Sequence, residues 1–144
     1  YEDKYALAEE IVSDHVREAN EKYHMLQAEN NPQNDGLTGY KNLLESILCL
    51  YYDNYPFFYH TTSRENPYLF SAYFNRMYVS VDDYLRRHTG LKSRFSFHQT
   101  AALLCNGLFG VINSCVADGL PEPEVRRVTR EIYAVILSSE MFER

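Results

Sequence analysis

The stretch Ser96–Ala117, SFHQTAALLCNGLFGVINSCVA, contains no Asp, Glu, Lys or Arg. It is long enough for about six helical turns. Ser96 is a good N-cap residue and Gly119 a good C′ residue, so the segment carries its own start and stop signals. A helix without a charged face must be covered by protein around most of its circumference.

Its two sides differ. At helical spacing Phe97, Ala101, Leu104, Leu108, Val111, Ile112 and Cys115 share one wholly apolar side. The opposite arc carries Gln99, Leu103, Asn106, Gly107, Gly110, Asn113, Ser114 and Ala117. Two glycines inside a helix cost roughly 1 kcal/mol each, and a close helix–helix approach gives a reason for them. The apolar side is therefore expected in the subunit's own core and the small, polar side against a second subunit. Two other readings stand beside it. One is a central helix of a monomer with Asn106 and Asn113 bonded internally. The other is a membrane span, in which His98, Gln99, Asn106 and Asn113 would be costly.

With 144 residues the chain suits a single domain with a real core. Its net charge of -6 argues against nucleic-acid binding by this chain itself. Cys49, Cys105 and Cys115 lack CxxC spacing and read as small buried hydrophobes of a reducing, cytoplasmic compartment. Thirteen Tyr and eight Phe suggest a core that is partly a polar-lined cavity.

The periodicity predicts an all-α chain of five to six helices. The first spans 4–29, with Leu7, Ile11, Val12, Val16, Ala19, Tyr23 and Leu26 on its stripe. The second spans Thr38–Tyr55 and ends at Pro56. A turn or short helix follows through Phe57–Thr62. Asn66-Pro67 opens a helix to His88, closed by Gly90. After the uncharged helix, Leu120-Pro121 starts a last helix reaching Phe142, with Val125, Val128, Ile132, Val135, Ile136 and Phe142 on one arc. Arg86, Arg87, His88, Lys92 and Arg94 gather near one helix end, either as favourable terminal charge or as an anion site.

Signs of catalysis are missing from the sequence. His15, His24, His60, His88 and His98 are scattered, with no HxxxH, HExxH or Cys/His metal spacing. Glu9-Glu10 and Asp82-Asp83 read as solvated pairs on exposed helix faces. No phosphate-binding glycine loop precedes a helix. Neither a metal nor another cofactor is expected, and the chain reads as a non-enzyme. An aromatic belt remains as the candidate ligand site. It comprises Tyr51, Tyr55, Phe58, Tyr59, Phe70, Tyr73, Phe74, Met77, Tyr78, His98, Cys105 and Phe109. An aromatic core with no cavity would use the same residues.

Tyr1-Glu2-Asp3-Lys4-Tyr5-Ala6-Leu7 resembles the end of the TetR-family DNA-binding domain. There an aromatic residue, two others, a Lys, two others and a Leu lead from the helix-turn-helix into a long connecting helix. The layout that follows is similar to that family's regulatory domain. The resemblance implies a cytoplasmic homodimer, built as a four-helix interface from the last two long helices of each subunit. It implies a small-molecule effector and no membrane. DNA would be contacted only by N-terminal helices that would precede Tyr1. Residues 1–144 would thus be one regulatory domain of a repressor-like protein. The interface candidates are Gln99, Leu103, Asn106, Gly107, Gly110, Asn113 and Ser114 on one helix and Val125, Val128, Ile132 and Ile136 on the next. The alternative is a helical adaptor bundle unrelated to DNA.

Overall fold

A computed structural model describes residues 2–61, 64–88 and 91–143. Among these residues the chain forms six helices and no strand: α1 (Glu2–Asn30), α2 (Gly36–Asp53), α3 (Tyr55–Tyr59), α4 (Pro67–Arg87), α5 (Phe97–Ala117) and α6 (Glu122–Ser138). The chain is all-α, as its periodicity predicts. Tyr1 of the N-terminal motif and Gly90, the expected stop of α4, lie outside the described residues. The packing separates two compact units, Tyr1–Arg76 and Met77–Arg144, with α4 contributing to both.

In the first unit α1 packs on α2, and α2 leads into α3. Ala8, Val12, Tyr40, Leu44 and Leu48 are buried there. Leu7, placed on the apolar stripe by its spacing, is 57% exposed, because Ala8 takes the inward position at that turn. The α1–α2 turn is held by side-chain amides. Asn42 donates to Gln27 Oε1 and to Asn30 Oδ1, both at 2.7 Å. Asn31 donates to Gln27 Oε1 at 3.0 Å and accepts from Asp35 N at 2.8 Å. Asn31 and Asn42 are both buried, so these bonds satisfy groups that water cannot reach.

α2 starts at Gly36, earlier than the expected Thr38, because Asp35 is the N-cap and accepts from Thr38 N at 2.9 Å. α2 stops at Asp53, with Asn54 as both its C-cap and the N-cap of α3. Pro56 therefore does two things. It cannot continue α2, and it sits in the first turn of α3, where its missing N–H is not needed.

In the second unit α5 packs against α6. Ser96 and Gln99 form a reciprocal capping box at the start of α5. At its end Gly119 has φ +74°. Its N–H bonds Val116 O at 3.0 Å, and Leu120 N bonds Cys115 O at 3.0 Å. That pair of bonds is a Schellman stop, which a left-handed glycine permits without steric cost. The apolar side of α5 is where the sequence puts it: Ala101, Leu104, Leu108, Ile112 and Cys115 are buried. Phe97, at the open first turn, is exposed instead, beneath the Arg86 guanidinium at 5.4 Å.

α6 ends at Ser138, short of the expected Phe142. Ser138 and Ser139 hydroxyls donate back to Val135 O and Ile136 O, competing with continued helix. The chain then runs beside the loop before α5. Arg94 N bonds Met141 O and Glu143 N bonds Lys92 O, both at 2.8 Å, around an isolated antiparallel bridge between Ser93 and Phe142. Met141 and Phe142 are buried by this return.

Candidate functional site

The aromatic belt divides by unit. In the first, Asn54 and Pro56 turn the chain so that α3 presents Phe57 and Phe58 to α1. The imidazole of His15 is their partner, with ring centroids 5.2 Å from Phe57 and 5.4 Å from Phe58. Tyr73 stands 5.7 Å from the same ring and shares a short hydrogen bond between its hydroxyl and His15 Nδ1. Tyr51 stacks on Phe58 at 4.3 Å, and Phe58 meets Tyr73 edge-on at 5.0 Å. Of the expected ligand residues, Tyr51, Phe58 and Tyr73 thus come together. Tyr55 pairs with Tyr59, which is exposed, and Phe70 with Phe74.

His15 was not among the expected residues. Its signal is its register: it follows Ile11 and precedes Ala19 by one helical turn each, on the apolar stripe of α1. Desolvation pushes its pKa below the ordinary histidine value, against the opposing pull of Glu18 and Asp14. Burial pushes the Tyr51 and Tyr73 phenols well above the ordinary tyrosine range. Both phenols therefore stay protonated and able to donate.

In the second unit Met77, Cys105 and Phe109 are buried core residues. Tyr78 and His98 belong to a polar cluster at the surface. The Tyr78 hydroxyl donates to His98 O at 3.2 Å. Arg86 donates to His98 Nε2 at 2.8 Å and, through Nε, to Asp82 Oδ2 at 2.8 Å. His98 Nδ1 lies 3.2 Å from Asp82 Oδ1. His98, one of the expected ligand residues, sits in the first turn of α5, and its side chain is 65% exposed. Asp82 is a correction, being buried where a solvated face was expected. The basic group near the end of α4 is engaged locally. Besides Arg86, Arg87 Nε donates to Asp83 O at 3.3 Å, and Arg94 pairs with Glu140 at 3.5 Å.

A separate cleft of about 250 Å³ opens between α1 and α2. Ala19, Met25, Cys49 and Leu50 form its apolar part, and Glu18 and Lys22 stand among its polar residues. The sequence gives no warning of it, since each wall belongs to a different helix.

The arc of α5 opposite the core is open. Leu103 is 53% exposed; Asn106, Gly110 and Ser114 are also exposed, as is Gln99, whose side chain closes the capping box. Gly107 and Asn113 are partly covered. A Cβ added at Gly107 or Gly110 would meet nothing within 4 Å. Asn106 turns its amide onto its own helix, donating to Ala102 O at 2.8 Å. Beside this arc α6 leaves Val128, Ile132 and Ile136 half-buried and Val135 exposed. Val125 does not belong with them, because it is 3% exposed and packs inside its own unit.

No protein-family model matches this chain, and no curated protein or solved structure is similar enough to match it. Among the described residues no three His, Cys, Asp or Glu side chains gather in a group that could hold a metal ion. Among the same residues α5 alone is long and apolar enough to cross a membrane by length and composition, a test that core helices also pass, and 44% of its most apolar window is buried.

Proposed function

We propose that this chain is the effector-sensing and dimerisation part of a TetR-like transcriptional regulator, without enzymatic activity of its own. The observation that carries the reading is the open arc of α5. An uncharged helix that buries one side and leaves Leu103, Asn106 and Gly110 exposed, with Gly107 partly covered among them, presents a narrow surface without charge. A second copy of the same helix, related by a twofold axis, fits such a surface, because small residues let two backbones approach closely. The half-buried stripe of α6 widens it. The N-terminal motif and the order of helices are what support the family reading. An apolar effector suits the Tyr51, Phe58 and Tyr73 cluster, whose phenols keep their protons. In this reading a cytoplasmic dimer controls DNA-binding heads encoded ahead of Tyr1.

Analytical ultracentrifugation of residues 1–144 at micromolar concentration tests the dimer. A mass of two chains supports it, and a monomer would leave a helical adaptor as the better reading. The encoding frame tests the family: a helix-turn-helix ahead of Tyr1 is required.

A further inference from the structure

We propose that His15 is an acid-released latch that fastens α1 to the aromatic cluster of α3 and α4. The geometry is that of a ring held from three directions. Phe57 and Phe58 contact the imidazole from α3, and Tyr73 both contacts it and bonds Nδ1 from α4. Tyr51 of α2 backs Phe58. A neutral imidazole fits this surround, since one ring nitrogen is free to accept the phenol proton. Adding a proton fills that lone pair. The Tyr73 hydroxyl, which keeps its own proton, must then turn to accept, and a full charge enters a site lined by rings.

The charges around His15 decide how strong the effect is. On α1 itself Asp14 and Glu18 favour the charged form. Asp14 is held by Arg17 at 2.6 Å, and Glu18 accepts from Asn54 at 3.4 Å. From α3 no charged residue faces the ring, since Tyr55–Tyr59 reads YPFFY. From α4 the facing titratable group is the Tyr73 phenol, and from α2 the Tyr51 phenol stands behind Phe58; neither carries charge at neutral or acidic pH. Attraction between an imidazolium and the ring faces offsets part of the desolvation. Desolvation is the larger effect, so acid works against the latched arrangement.

This inference does not depend on the proposed function, because oligomeric mass reads one and local protection the other. The test is amide hydrogen exchange, followed from about pH 7.5 to about pH 5, across the histidine range. Protection factors at Phe57, Phe58 and His60, whose amides bond Asn54 O and Phe57 O, are expected to fall several-fold in acid. Amides of α6 should keep theirs. His15→Phe, which fills the site but cannot titrate, should abolish the fall. Equal loss in α3 and α6, equal loss in the variant, or no loss in the parent chain would each overturn the latch. Should His15→Phe not fold, the protonation midpoint of His15 measured by NMR decides: below the ordinary histidine value supports it, at or above that value refutes it.

Discussion

Phe142 and Ser93 form an antiparallel bridge that ties the end of the chain to the loop opening α5. Thr100 strengthens the same corner, its hydroxyl donating to Ser93 Oγ at 2.8 Å. The tail is thereby part of the second unit's core. Phe142→Ala should cost about 3–5 kcal/mol, the usual range for truncating a buried phenylalanine. Urea denaturation with unchanged midpoint would show that the tail contributes nothing.

Leu103 and Leu108 stand on one helix with opposite surroundings, 53% and 2% exposed. Leu108→Ala should lower stability by about 2–5 kcal/mol. Leu103→Ala should change it by less than about 0.5 kcal/mol in the isolated subunit, while weakening self-association. Comparing denaturation midpoints with sedimentation of both variants checks the pair.

Gly110→Leu tests the proposed interface directly. The new side chain enters open space within its own chain, so circular dichroism should be unchanged. A dimer built on this arc should dissociate. Unfolding instead of dissociation would mean that the arc faces protein of the same subunit.

Asn42→Ala removes the donor shared by Gln27 and Asn30 at the α1–α2 turn. The loss should be about 0.5–1.5 kcal/mol, the usual net worth of a hydrogen bond, because Gln27 keeps its bond from Asn31 and Asn30 is open to water. A thermal melt indistinguishable from the parent would show that water replaces the amide at no cost.

Asp35 gives an acid-side prediction. Hydrogen bonds from the Thr38 backbone N–H and hydroxyl hold its carboxyl below the usual carboxylate value. The stability it confers is complete above that usual value and lost as pH falls through the lowered one. Asp35→Ala should therefore flatten the acid limb of the stability curve, and Asp35→Ser, which still caps, should restore the helix start without the titration. Melting temperature followed through the acid range reads both.

Helix content was legible because its signals are local. Ser96, Asn66 and Gly119 act within a turn of themselves, and the inner face of α5 follows from periodicity alone. What was missed depends on partners distant in sequence. Phe142 fits the α6 arc by spacing, yet its bridge to Ser93 removes it from the helix. Asp82 looks solvated beside Asp83 until Arg86 and His98 close over it. His15 carries no motif; only the fold brings Phe57, Phe58 and Tyr73 around it. Val125 has the same period as Ile132 and Ile136, but its place near the start of α6 turns it inward.

The three thiols differ in a way that experiment can exploit. Cys105 and Cys115 are buried, the former pushed up to about 12, while Cys49 is partly open at the α1–α2 cleft. Burial and the neighbouring Glu45 push the Cys49 thiol up as well, so a maleimide dye or spin label applied to the folded chain should attach there first, by its exposure, and faster as pH rises. Signals from that tag would report on the α1–α2 seam, next to Glu18 and within a few residues of the aromatic turn.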